Sequence, residues 1–127
     1  MTSGAADILA AETRARHWCD AWNARDLDGV MAHYADEVEV CSPLVAKRLG
    51  RADGRLSGKA ALRAYFATGM SNPDLAFTFE GVRLGVNAAV VLYKRENGMR
   101  VADTIELNDE GEIIRMTACY AGGAPRV

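Results

Sequence analysis

The chain has 127 residues, half of them hydrophobic, and a formal net charge of -2. That is enough for one domain with a real core, and the near-neutral balance gives no electrostatic case for nucleic acid or a membrane surface as partner. No apolar run approaches the roughly 20 residues that cross a bilayer. Met1 to Asp7 show no basic stretch followed by an apolar one, so no secretory signal is expected. Cys19, Cys41 and Cys119 are odd in number and far apart, which suits reduced thiols in a cytoplasmic protein.

The first half reads as helical. From Ala6 to Ala24 the apolar residues Ile8, Leu9, Ala15, Trp18, Cys19 and Trp22 follow a helical period, and Trp18 and Trp22 share a face. Asp26 is placed to cap a second short helix, Leu27 to Tyr34, with Val30, Met31 and Tyr34 inward. Val38 to Ser42 alternates as a short strand that Pro43 ends. Leu44 to Leu56, with two glycines and several charges, reads as a long loop. A third helix follows over Gly58 to Met70, carrying Leu62, Tyr65, Phe66 and Met70 inward. Asn72-Pro73-Asp74 is a turn.

Four strands complete the chain: Leu75 to Leu84, Val86 to Arg95, Met99 to Leu107 and Glu112 to Ala121. Asn97-Gly98 and the Asn108 to Gly111 cluster suit tight hairpins. Helices grouped first and strands grouped last give an α+β domain spanning residues 1–127. The expected form is a curved antiparallel sheet with three helices, a cone with an internal pocket. The first few residues and Gly122 to Val127 are expected to be tails. On Val86 to Arg95 both faces are apolar, with Ala88, Val90 and Leu92 on one and Ala89, Val91 and Tyr93 on the other. A homodimer covering the face turned from the helices is the expectation.

Asp103 is the most informative residue. Strand alternation sets it on one face with Met99, Val101, Ile105 and Leu107, side chains that want burial. An ionised carboxylate there costs several kcal/mol (roughly) unless paired or hydrogen-bonded. Protonation with a raised pKa is the cheaper solution. A neutral acid in an apolar pocket is a hydrogen-bond donor useful to catalysis. The alternative is that Asp103 only bonds a tryptophan N–H or a backbone group and orders the core.

Asn23 to Val30, then Tyr34-Ala35-Asp36-Glu37 and the strand ending at Pro43, resemble the opening of the ketosteroid isomerase and SnoaL-like families of the nuclear transport factor 2-like (cystatin-like) superfamily. Gly58 to Leu62 with Tyr65-Phe66 resembles their third helix. Asp103 with Asn108 to Ile113 resembles their last hairpin. The resemblance runs from about Trp18 to Tyr120 and implies the cone fold. It also implies which positions matter. Trp18 stands where the isomerases place a tyrosine donor, Asp103 where they place a protonated acid, and Ser42 where they place the general base. Tyr34 keeps a supporting tyrosine, and Phe66 replaces another. A serine without a base beside it cannot take a proton from carbon. Steroid isomerisation itself is therefore not expected.

Two functions stay open: a pocket for a small apolar molecule, or an isomerase- or cyclase-type enzyme using Asp103 as acid or hydrogen-bond donor. Pocket-lining candidates are Trp18, Trp22, Tyr34, Val40, Ser42, Phe66, Val101 and Ile105. No cofactor is expected. His17 and His33 have no acid or thiol at metal-ligand spacing and read as solvent-edge residues. A Ser42–His33–Asp103 triad lacks any signal placing His33 inward. Lys47, Arg48, Arg51 and Arg55 make the 44–56 segment basic, which suits either a solvated surface or a lid that recruits an anionic group.

Overall fold

The computed structural model describes residues 4–121. The expected tail Gly122 to Val127 lies outside the described residues. Among those described, four helices and six strands run in the order α1 (Gly4–Asn23), α2 (Leu27–Met31), β1 (Tyr34–Cys41), α3 (Pro43–Leu49), β2 (Arg55–Ser57), α4 (Lys59–Met70), β3 (Thr78–Gly85), β4 (Ala88–Lys94), β5 (Arg100–Leu107) and β6 (Ile113–Tyr120). The strands form one sheet in the order β2-β1-β6-β5-β4-β3.

α1 buries Ala11, Ala15, Trp18, Cys19 and Trp22, a stripe at helical spacing that lays one face on the sheet. Its end is tied twice. Arg25 takes the left-handed conformation at φ 57° and its N–H donates to the Trp22 carbonyl at 3.0 Å, a turn that satisfies the last carbonyls of the helix. Asn23 then donates to the Phe77 carbonyl at 2.9 Å and accepts the Phe77 N–H at 2.7 Å. This amide pins the helix to the segment entering β3. The Asp26 side chain caps α2 by accepting the Gly29 N–H.

Three sequence expectations are corrected. The second helix stops at Met31, not Tyr34. Tyr34 opens β1, because His33 accepts the Ile113 N–H at 2.9 Å and Tyr34 pairs with Ile113. Tertiary pairing overrides a local helical pattern here. The sheet is mixed rather than wholly antiparallel, since β1 runs parallel to β6. No turn joins those two strands, so no turn residue signals their orientation. The segment read as a loop is instead α3 and the edge strand β2, which makes four helices instead of three. Pro43 at the first helical position and Gly50 past its end, at φ 65°, are the start and stop signals of α3.

The hairpins follow the turn residues. Gly98 sits at φ 84° and donates to the Arg95 carbonyl. Asn108 accepts from the N–H groups of Glu110 and Glu112 and so shapes the last turn. Val86, expected to begin a strand, is 93% exposed at the tip of the β3–β4 turn. On β4, Ala89, Val91 and Tyr93 are buried toward the helices, while Ala88, Val90 and Leu92 are half-buried on the outer face.

Gly54 holds the start of α3 in place. It sits at φ 66°, and a Cβ there would meet the Ser42 carbonyl oxygen at 2.8 Å. Gly50 has a similar φ and open space around it. Gly54→Ala should therefore destabilise the fold by more than the roughly 1–2 kcal/mol of a left-handed non-glycine residue, and Gly50→Ala by no more than that. Urea unfolding of both variants checks this. Equal losses would show that the close approach to Ser42 is unimportant.

Candidate functional site

Asp103 is 3% exposed, held on β5 between Val91 of β4 and Ala118 of β6. The Tyr93 hydroxyl donates to its Oδ2 at 3.0 Å, and Oδ1 has no partner among the described residues. Burial pushes the carboxyl up to about 7, against the opposing effects of the Tyr93 hydrogen bond and the Arg95 charge. Burial, reinforced by the neighbouring carboxyl charge, also pushes the Tyr93 hydroxyl well above its ordinary range, so it remains a donor. Tyr93 was not singled out in the sequence. The Asn97-Gly98 turn sets Tyr93 opposite Val101 and Val91 opposite Asp103. Tyr93 is then the diagonal neighbour on the same face, within reach of a long side chain.

Trp18 donates its indole N–H to the Tyr34 hydroxyl at 3.0 Å, and that hydroxyl lies 3.6 Å from the Met116 sulfur. The indole is thus already bonded to the protein. Its ring stands edge-on to Tyr93 at 5.3 Å and stacks on Phe77 at 5.7 Å.

Trp18, Met116 and Asp103 border two cavities, one on each side of them. The first lies under α1, with Ala11, Arg14 and Ala15 on the helix and Val91 and Ile105 on the sheet; Tyr34 and His33 close it. The second lies beneath α3 and α4. Trp22, Val40, Ser42, Phe66, Phe77 and Tyr93 wall it, and Arg48, Tyr65, Arg95 and Tyr120 complete its lining. Each has a volume of about 60 Å³. At roughly 10–15 Å³ for a water-sized group, each takes a handful of such groups.

The residues named from the sequence therefore divide. Tyr34 and Ile105 line the first cavity, Trp22, Val40, Ser42 and Phe66 the second, and Trp18 and Asp103 both. Val101 lines neither; it is 2% exposed within the core, paired with Tyr93. Arg48, from the basic segment read as a surface or a lid, borders the second cavity, while Arg14 at the first and Arg95 at the second are charged residues not placed at a pocket from the sequence. Arg95 follows β4 directly, and nothing in its local pattern marks it as buried.

Ser42 is 7% exposed, and its Oγ accepts the Leu44 N–H at 3.2 Å as the cap of α3. Its backbone N–H donates to the Gly54 carbonyl at 2.9 Å. Ser42 is a helix cap, with no carboxylate or imidazole bonded to it among the described residues. His33 borders the first cavity and Ser42 the second, so Ser42, His33 and Asp103 are not assembled as a triad. His33 is half-buried, a correction to its reading as a solvent-edge residue. One ring of the His17–His33 pair donates to the other, Nδ1 to Nε2 distance 3.0 Å. Burial pushes the His33 pKa down, helped by the His17 and Arg14 charges. Among the described residues no three His, Cys, Asp or Glu side chains gather as a metal site would need. Burial, with the Asp103 charge, pushes the Cys19 thiol up to about 12, which leaves it inert as a nucleophile.

Among the described residues no helix is long and apolar enough to cross a membrane. A SnoaL-like protein of unknown function from Burkholderia thailandensis is 34% identical over 88% of this chain and 94% of its own, with a TM-score of 0.84. A nuclear transport factor 2-like protein of unknown function from Mesorhizobium loti shares 18% identity over 87% of this chain and 90% of its own, TM-score 0.69. A protein of unknown function with a cystatin-like fold from Methylobium petroleophilum shares 20% over 94% and 80%, TM-score 0.72. The last two likenesses concern the fold. The SnoaL-like domain matches residues 15–120, which takes in both cavities' shared wall from Trp18 to Met116, and the chain belongs to that family.

Proposed function

We propose that the chain binds a small, largely apolar molecule with at least one hydrogen-bonding oxygen, in the cavity beneath α3 and α4. One observation carries this. Trp22 Nε1, Arg95 Nε and Asp103 Oδ1 are the buried side-chain polar atoms without a partner among the described residues, and all three residues border that cavity. Each unmet buried group costs about 1–3 kcal/mol. Two are N–H donors, and the third belongs to a carboxyl that donates when protonated. A ligand oxygen among them meets several of these needs at once.

A second reading rests on Asp103 alone. A carboxyl with a pKa of about 7 can serve as an acid or a hydrogen-bond donor near neutral pH. The isomerase step also needs a base, and Ser42 is occupied as a cap. A missing base costs roughly 10²- to 10⁴-fold in rate. Binding is therefore the better-supported function, with acid catalysis as its extension.

Three outcomes follow for the bench. The two tryptophans give two indole N–H signals in a nitrogen–proton NMR spectrum. Titration with benzamide, a one-ring amide, should shift the Trp22 signal more than that of Trp18, with Trp22→Phe as the assignment; a Trp22 signal that never moves would count against the site. A Δ5-3-ketosteroid should give no turnover above buffer in a steady-state assay, whereas robust turnover would require a base that Ser42 does not supply. The raised Asp103 pKa also has a sign. The folded state binds this proton more tightly than the unfolded state, so the stability Asp103 contributes is fully present below the ordinary value of 3.8 and is lost as pH rises toward about 7. The loss is at most about 1.4 kcal/mol per pH unit. Asp103→Asn lacks this component, so urea midpoints of the two proteins should diverge across that window. Parallel curves would show an ordinary carboxyl.

A further inference from the structure

We infer that the ligand of the cavity beneath α3 and α4 is a small monocarboxylate, its carboxylate received by Arg95 with Arg48 and its apolar part lying against the aromatic wall that Trp22 and Phe77 form. This rests on the reading of that cavity as the ligand site and names the chemistry it selects.

Arg95 carries the assignment. Its side chain is 9% exposed, and its Nε–H has no partner among the described residues. Its carboxylate contact is Glu96 Oε2 at 3.4 Å, well beyond the roughly 2.7–2.9 Å of a charge-assisted hydrogen bond. Glu96 Oε1 also lies 3.4 Å from the Ala76 N–H. The guanidinium stands 5.5 Å from the centre of the Phe77 ring, which holds it at the cavity wall. Burial works against this cation while Tyr120 and Glu96 work for it, and removing it from water still carries a cost. An anion in the cavity offsets that cost, and the planar fork of a guanidinium matches a carboxylate in two parallel bonds.

Arg48 adds to this from another element. It lies in the last turn of α3, its guanidinium 6.0 Å from the Tyr65 ring centre. It lines the same cavity and has no salt bridge among the described residues. Two arginines thus border a space whose acidic member is the single buried carboxyl of Asp103.

Charge and size narrow the class. A phosphate ester carries about -1.5 to -2, and taking a dianion into a largely aromatic space costs more than taking in a monoanion. At about 60 Å³, the space takes roughly four to six water-sized groups. The space is partly open, so a short chain or the edge of one ring can enter it with the carboxylate at the arginines. The walls are aromatic, with Trp22, Phe66, Phe77 and Tyr93 packed at 4.7 to 5.3 Å between ring centres in the pairs Trp22–Phe66, Trp22–Phe77 and Phe77–Tyr93.

The test uses benzoate and benzamide, which share shape and differ in charge, with inorganic phosphate as the control anion. Calorimetry gives affinity, and the Trp22 indole signal reports occupancy of this cavity. Benzoate should bind the whole chain at least about tenfold more tightly than benzamide, a difference near 1.4 kcal/mol, and phosphate more weakly than benzoate. Arg95→Met should abolish the preference for benzoate, Arg95→Lys should keep part of it, and Arg48→Gln, at an exposed position, should reduce it. Arg48→Gln keeps the test valid if Arg95→Met fails to fold. Equal binding of benzoate and benzamide, or a preference that survives both Arg95→Met and Arg48→Gln, overturns the carboxylate assignment and leaves the cavity as a neutral-ligand site. Phosphate binding more tightly than benzoate overturns it in favour of a phosphate receptor. No shift of Trp22 with either aromatic probe overturns the ligand site itself.

Discussion

The interior is organised by the need to place the polar tips of buried aromatic side chains. A tyrosine or tryptophan contributes a large apolar area, but its O–H or N–H must find a partner once water is excluded. Trp18 meets this through Tyr34, and Tyr93 meets it through Asp103. Those two bonds tie α1 to β1 and β4 to β5. They also fix the wall of Trp18, Met116 and Asp103 that both cavities share. Trp22, one helical turn after Trp18, packs on Phe66 and Phe77 but leaves its N–H unmet. The same residue type on the same helix face is thus hydrogen-bonded within the protein at one position and unpartnered among the described residues at the next turn.

One short segment changes the chemistry that the fold carries. Ser42 closes β1 and caps α3, and α3 brings Arg48 to the rim of the second cavity. A side chain at Ser42 that caps a helix spends its acceptor on a backbone N–H. The helix it caps then delivers a cation to a place where no helix was anticipated from the sequence. A capped serine hydroxyl at the end of β1 and an arginine at the rim of the cavity thus come from one short segment.

Much of the fold was legible because its signals are local. The stripe of Trp18, Cys19 and Trp22, the Asp26 cap, and the turns at Asn97-Gly98 and Asn108 to Gly111 each act within a few residues. The burial of Asp103 followed from period-2 alternation on β5. The parallel pairing of β1 with β6 was not legible, since it joins segments distant in sequence with no turn between them. α3 was missed for a different reason. Lys47, Arg48 and the flanking glycines look like a surface loop, while the informative residues were Ser42, Pro43 and Gly50, a cap, a first-turn proline and a left-handed stop. The site was half legible. Trp22, Phe66 and Asp103 announced themselves by type and pattern. Arg95 did not, because an arginine just past a strand end is usually solvated. Phe77 and Tyr120, distant in sequence, are among the neighbours that surround it.

The arrangement of Asp103 and Arg95 explains how the second cavity stays open. Both border it, yet no salt bridge joins them among the described residues. A direct pair would satisfy the arginine, hold the carboxyl ionised and draw the walls together. Instead Tyr93 takes one carboxyl oxygen and Phe77 carries the guanidinium face, so each group is held by an aromatic neighbour. Burial then outweighs the Arg95 charge in setting the carboxyl pKa, as its rise to about 7 records. The result is a void with a proton-bearing group at one point of its lining and a cation at another, with no salt bridge between them among the described residues. A neutral donor and a fixed cation in one apolar space have opposite preferences for an empty state. The donor can remain protonated without a ligand, whereas the guanidinium cannot shed its charge. The unpartnered N–H of Arg95 therefore belongs to a group that stays charged, and the proposed preference for a carboxylate rests on it.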